Sequence, residues 1–195
     1  MITLVSGYSK SGKTTLCSLF ANQLPWNYAV YSKGEELKIR PMHRVEISRS
    51  VRDQFIPFCD PEFYEEHKDK EYFLGKTFRE FLDPLVAQQR KKDPYFFIKK
   101  CYERSICGNE GYNIMITDHR FPQERDFLLK KGLLVKTIRV YREGVQPKKL
   151  DTFLDEEPSD FLLVPLNNHQ LVFPNMLTKF PQYQDYQLTS PRFFD

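Results

Sequence analysis

The chain has 195 residues, 41% of them hydrophobic and 28% charged, enough for one domain with a buried core. Its net charge of +3 is too small for the concentrated basic face of a nucleic-acid-binding domain, so no stable nucleic-acid binding is expected. No apolar run approaches the roughly 18 residues that span a bilayer, so no membrane association is expected.

The first residues, Met1-Ile2-Thr3-Leu4-Val5, read as a strand entering a core rather than a secretory leader. Leu16, Leu19, Phe20 and Leu24 recur at spacings of three and four, which predicts a helix closed by Pro25. Residues 28–31 read as a second short strand. Residues 33–75 read as irregular, with Pro41, Pro57 and Pro61 as breakers. Residues 77–92 carry a helical pattern that Pro84 must kink or restart, with Asp83 as N-cap. Asp93-Pro94 opens a further helix to about Ser105. A buried strand over 113–117 ends at Asp118. Then follow a helix over 122–131 stopped by Gly132, a strand over 133–141 and a last strand over 161–166. The final residues, with Pro174, Pro181 and Pro191, read as irregular. Strands alternating with helices predict βαβ units and a parallel sheet. Cys17, Cys59, Cys101 and Cys107 form no Cys-x-x-Cys pair and do not cluster with the histidines. That argues against structural zinc and for reduced thiols in a cytoplasmic compartment.

Gly7-Tyr8-Ser9-Lys10-Ser11-Gly12-Lys13-Thr14 matches G-x-x-x-x-G-K-[ST], the nucleoside-triphosphate phosphate loop. Two glycines let the backbone curl so that successive N–H groups face phosphate oxygens. Lys13 is expected to reach the β- and γ-phosphates and the Thr14 hydroxyl to ligate Mg²⁺. The following helix turns its positive N-terminal end to the same phosphates. Gly7, Ser9, Lys10, Ser11, Gly12, Lys13, Thr14 and Thr15 are thus the expected donor-binding residues. The motif has its required context, a strand before and an amphipathic helix after.

Ile114-Met115-Ile116-Thr117-Asp118 has the form of a Walker B strand, which carries a carboxylate to the sheet edge where ligands bind. Asp118 is expected to hold Mg²⁺ with Thr14, directly or through water. Arg120 lies two residues on. Phosphoryl transfer is mostly positioning and charge stabilisation, so arginines facing the γ-phosphate are expected.

At Asp118-His119-Arg120-Phe121-Pro122-Gln123-Glu124 the chain resembles the D-x-R-F-P-N-E signature of the phage-type deoxynucleoside monophosphate kinases. Val30-Tyr31-Ser32 with Glu36-Leu37-Lys38 is similar to that family's S-F-A-x-x-L-K segment. Thr77-Phe78-Arg79-Glu80-Phe81-Leu82 is similar to its T-x-R-E-L-L-Q helix, with Arg90 near a downstream arginine. Asp93-Pro94-Tyr95-Phe96-Phe97 and Leu154-Asp155 match further pieces. Animal phosphomevalonate kinase is similar in the same places but lacks the Phe-Pro-x-Glu continuation. The chain departs from the family in Thr14-Thr15 after the loop lysine, and in Leu85-Val86-Ala87-Gln88 where a G-T-E turn stands.

The resemblance implies ATP- and Mg²⁺-dependent transfer of a phosphoryl group to a (deoxy)nucleoside monophosphate. It implies catalytic roles for Lys13, Asp118, Arg120 and Arg142, and acceptor binding by Lys38, Arg79, Arg90 and Arg120. Phe58, Phe63, Tyr72, Phe96 and Phe97 are aromatic candidates for stacking on the acceptor base. The fold expected is a three-layer α/β P-loop fold with a mostly parallel five-stranded sheet, in one domain over 1–195. A helical acceptor-binding insertion is expected at about 33–108 and a short lid at about 142–152. Partners are expected to be small-molecule nucleotides, with a homodimer as one oligomeric option. A kinase for another phosphorylated metabolite, such as phosphomevalonate, and a non-kinase P-loop nucleotide-binding module are the alternatives.

Overall fold

The structure is a computed structural model that describes residues 1–20, 28–35, 42–73, 75–147, 153–165, 175 and 177–189. Among these, in chain order, are β1 (Ile2–Gly7), α1 (Lys13–Phe20), β2 (Tyr28–Ser32), β3 (His43–Val45), α2 (Ile47–Phe55) and α3 (Pro61–His67). Then come β4 (Glu71–Phe73), β5 (Lys76–Thr77), α4 (Phe78–Lys92), α5 (Phe96–Ser105) and β6 (Ile114–Ile116). The remainder are α6 (Pro122–Lys130), β7 (Val135–Val140), β8 (Phe161–Pro165) and β9 (Gln187–Thr189). They form two compact units, Met1–Val45 with Gly108–Asp195, and Glu46–Cys107.

The first unit is a mixed α/β fold on a seven-stranded sheet of order β3-β6-β1-β7-β8-β2-β9. The five strands from β3 to β8 run parallel. β2 is antiparallel to both its neighbours, β8 and β9. β1 lies in the middle of the five parallel strands, and Ile2 to Ser6 are all at most 2% exposed. A parallel strand covered on both faces reads as such a continuous run. One face carries Val5, Met115, Ile138, Val140 and Leu163, against which α1 packs Leu16, Cys17 and Phe20. The other face at the β2–β8 side carries Ala29, Tyr31, Leu162 and Val164, covered by Phe180, Tyr183 and Tyr186.

The expected five strands are therefore seven. The additions are β3 and β9, three residues each, in stretches that read as irregular. Strands this short have no periodicity to detect, and backbone pairing alone defines them. β2, expected as part of a parallel βαβ progression, lies beyond β8 and runs the other way, pairing Ala29 with Val164 and Tyr31 with Leu162.

In the second unit, the region read as irregular holds two helices. α3 starts with Pro61 at its first turn, and Asp60 accepts a hydrogen bond from the Phe63 N–H at 2.9 Å. Arg52 of α2 is 9% exposed because Glu65 pairs with it at 3.1 Å and its guanidinium sits 5.1 Å from the Tyr64 ring centre. α4 is one helix from Phe78 to Lys92 with Pro84 inside it, so Asp83 caps nothing. Thr77 and Glu80 form a reciprocal capping box instead, and that box starts the helix. α5 begins at Phe96, three residues after Asp93, whose carboxylate accepts from Lys99 Nζ (2.7 Å) and the Tyr95 N–H (2.9 Å). These bonds, Lys99 foremost, hold the Asp93 carboxyl below the usual carboxylate range. Among the described residues no helix is long and apolar enough to cross a membrane.

Candidate active site

The phosphate loop connects the carboxyl end of β1 to the first turn of α1. Gly7 has φ +140°, and a Cβ there would stand 2.4 Å from the Val140 carbonyl oxygen of β7 and 2.9 Å from Ser11 Oγ. Only glycine lets the chain leave the sheet here. Gly12 has φ +98°. Lys10, at φ +68°, is the one non-glycine residue with positive φ among the described residues. Backbone held in that region costs about 1–3 kcal/mol and concentrates where function requires it. The Ser11 N–H donates to Tyr8 O at 3.0 Å, closing the turn. Lys13 Nζ donates to Gly7 O (2.7 Å) and Tyr8 O (2.6 Å), so the ammonium is held against the loop it serves. Thr14 and Thr15 are exposed at the start of α1.

Two observations fit a phosphate group. Ser11 Oγ is buried and has no hydrogen-bond partner among the described residues, which a polar atom inside a protein seldom lacks. The cradle also stays open because glycine stands at Gly7 and Gly12. For Mg²⁺ the fit rests on donor chemistry: the Thr14 hydroxyl and the Asp118 carboxylate are the hard oxygens this ion takes. Among the described residues no three His, Cys, Asp or Glu side chains form a metal cluster.

β6 delivers Asp118 to the same sheet edge. Its register sets Ile114 beside Ile2 and Ile116 beside Leu4, and the chain keeps following β1, with the His119 N–H donating to Val5 O at 3.1 Å. Asp118 and the loop therefore leave adjacent parallel strands at the same end. Arg120 follows, half-buried.

The sequence reading left His119 and Glu124 without a role. Glu124 is 1% exposed, and its Oε2 gathers the Arg120 N–H (2.9 Å), the Phe121 N–H (3.2 Å) and His119 Nδ1 (3.0 Å). The Glu of the D-x-R-F-P-x-E run is thus the knot of the turn that carries Asp118 and Arg120. Its spacing, three residues from the residue before α6, is the capping-box signal that could have revealed it. Glu124→Ala is expected to destabilise the fold by about 3–5 kcal/mol, because buried donors lose their shared acceptor. Thermal unfolding would show this, and Glu124→Gln, which keeps an acceptor oxygen, should lose less.

Arg142 is exposed just beyond β7, whose Val140 pairs with Gly7. Burial pushes the Tyr28 hydroxyl above its usual pKa, and the Arg142 charge opposes that shift. The Tyr28 hydroxyl in turn lies 3.1 Å from where a Cβ on Gly12 would be. Arg142 and the phosphate loop thus follow paired strands, β7 and β1, at the same sheet edge. Arg139 does not join it. It is 3% exposed, bonded to Asp155, and belongs to the core rather than to a lid.

Arg79 and Arg90 stand on the other unit, in the first and last turns of α4. Eleven residues is close to three turns, so they share one helix face about 16 Å apart. Arg79 Nε bonds Asp69 at 2.9 Å, and the Arg90 guanidinium lies 5.3 Å from the Phe97 ring centre. Lys38 lies outside the described residues, as does the Tyr72 side chain. Of the aromatic candidates, Phe97 is a core residue at 1% exposed, Phe63 stacks on His67, and Phe58 is fully exposed. In the first unit, Phe153 is half-exposed and its ring lies 4.8 Å from that of Phe121, next to Arg120 in the chain.

A polar cavity of about 110 Å³ lies on the α6 side of β1 and β7, lined in part by Ser6, His119, Arg125, Thr137 and Ser159.

No protein-family profile and no curated protein sequence matches the chain. Among the solved structures that resemble it loosely are two kinases. One is an unliganded sugar kinase from Janibacter sp. HTCC2649, at TM-score 0.40 and 12% identity over 94% of this chain and 95% of that one. The other is a shikimate kinase from Bacteroides thetaiotaomicron, at TM-score 0.34 and 14% identity over 96% of this chain and 84% of that one. Agreement this loose does not establish a common fold, and the functional reading rests on the chain's own geometry.

Proposed function

We propose that the protein transfers the γ-phosphoryl group of ATP to a (deoxy)nucleoside monophosphate, giving the diphosphate, on a three-layer P-loop kinase domain. The observation that carries the nucleotide site is the loop itself. Its Gly7 is wedged against Val140, Lys10 is in the left-handed region, and Ser11 Oγ is buried without a partner among the described residues, while Lys13 sits at its carbonyls and Asp118 just beyond the adjacent strand. The acceptor assignment rests on the resemblance at residues 118–124.

In this reading the loop N–H groups and Lys13 bind the donor phosphates, Lys13 exchanging its loop carbonyls for phosphate oxygens. Thr14 and Asp118 hold Mg²⁺, which, when bound, neutralises charge on the β- and γ-phosphates. Arg120 and Arg142 stabilise charge on the group in transit, with residues 142–152 as a short lid. Lys38, Arg79 and Arg90 serve the acceptor. Arg79 and Arg90 stand about three helical turns apart, so they would serve opposite ends of it. No side chain needs to act as nucleophile, because the acceptor phosphate is already anionic.

The test is a coupled assay with MgATP and a panel of deoxy- and ribonucleoside monophosphates plus phosphomevalonate, each product confirmed by mass. Turnover of nucleotides supports the reading. Turnover of phosphomevalonate alone keeps the site and replaces the acceptor. Nucleotide binding with no transferred product would leave a non-kinase P-loop module. Light scattering on the same sample reads monomer against homodimer.

A further inference from the structure

Tyr8 is the second residue of the phosphate loop, a position the motif leaves open, yet it is 4% exposed. Its backbone carbonyl is the hub of the loop, accepting from both Lys13 Nζ and the Ser11 N–H. Its side chain points the other way. The hydroxyl donates to Asp155 Oδ2 at 3.0 Å, the Arg139 guanidinium lies 5.1 Å from the ring centre, and the Phe180 ring 6.2 Å from it. Asp155 is itself fixed by Arg139 through its other oxygen and by Gln182 through its backbone carbonyl. Burial and the bond to Asp155 keep the Tyr8 phenol far above its usual pKa, so it remains a donor throughout the working range. The prolines after residue 173 made this last stretch illegible in the sequence. Its Phe180 and Gln182 belong to the support of the loop.

We infer that Asp155 and the segment around Phe180–Gln182 are positioning elements of the phosphate loop, acting through Tyr8 to set the affinity for the donor triphosphate. This rests on the nucleotide reading of the loop. The physical reason is mechanical. One residue carries at its carbonyl the catalytic lysine's anchor, and at its hydroxyl a bond to a carboxylate 147 positions away in the chain. The hydroxyl bond pins the side chain, and through its Cα the backbone of Tyr8; releasing it loosens the loop at the carbonyl that holds Lys13 and Ser11. Preorganisation of this kind appears in binding rather than in fold stability.

The decisive variant is Tyr8→Phe, which keeps the ring under Arg139 and Phe180 and removes only the hydroxyl. Titration of wild type and variant with a fluorescent Mg-ATP analogue is expected to show a Kd raised about tenfold in the variant, with Tm nearly unchanged. In turnover the KM for ATP should rise by a similar factor and the acceptor KM should stay. Asp155→Ala should reach the same Kd with a lower Tm, since Arg139 also loses its partner. A Tyr8→Phe protein with wild-type Kd, whatever its Tm, overturns the inference, because packing alone would then explain the cluster. A wild-type protein that binds no triphosphate overturns the nucleotide reading and this inference with it.

Discussion

Lys13→Ala is expected to lower kcat by at least about 10²–10³-fold, the range seen when one preorganised group facing developing charge is removed. The fold should survive. Lys13 Nζ donates to Gly7 O and Tyr8 O, and at about 1.5–3 kcal/mol for hydrogen bonds to a charged group the Tm of a chain this size falls by several degrees without loss of the fold. Steady-state kinetics and thermal unfolding of the same preparation separate the two effects. Lys13→Arg is informative beside it. A planar fork replaces a compact ammonium in a space defined by two carbonyls 2.7 and 2.6 Å away, so retained charge should not restore turnover. Turnover of Lys13→Ala within tenfold of wild type would remove the lysine, and with it the phosphoryl-transfer reading, from consideration.

Gly7→Ala should be the most damaging single methyl in the chain. The methyl would meet the Val140 carbonyl oxygen at 2.4 Å, and φ +140° is closed to any residue with a Cβ. Val140 cannot yield easily. It is 1% exposed and paired in register with Gly7 on one side and Leu163 on the other. Either β1 and β7 part locally or the loop takes another path. The expected cost is about 3–5 kcal/mol, which is roughly 10 °C of Tm for a domain of this size. Nucleotide binding should be lost with it. Gly12→Ala is expected to be milder, because its nearest neighbour is the tip of Tyr28 at 3.1 Å, which can shift. Gly111→Ala, with open space around it and no positive φ, is the control and should stay within about 0.5 kcal/mol of wild type. A stable Gly7→Ala protein that still binds nucleotide would contradict the close approach of β1 and β7.

The loop was legible because its chemistry is local. Eight consecutive residues supply the glycines, the lysine and the hydroxyl, and the strand and helix on either side follow from patterns of the same length. The strand before Asp118 was legible for the same reason, and so were α6 and the Gly132 stop, where a proline and a glycine mark the two ends. Pro84 misled. A proline normally interrupts a helix, but the Thr77–Glu80 box starts α4 well ahead of it, and the helix runs through without a second start. Glu124 looked like part of a signature and is a buried knot. Arg139 is fixed in the core beside Asp155, a contact no local pattern announces.

What the sequence determined by itself is the set of short-range structures: the phosphate loop, the helix starts at residues 77 and 122, and the strands whose β-branched runs exceed a few residues. Tertiary structure alone decided strand order, which lays β6 beside β1 so that Asp118 and the loop follow adjacent parallel strands, and sends β2 antiparallel to the far side of β8. It also decided that residues 180–182 support Tyr8. Local propensity and spacing act over one or two turns of chain. The β1–β6 and β1–β7 pairings and the Tyr8–Asp155 bond are closed between residues more than a hundred positions apart, and no short window of sequence records that choice.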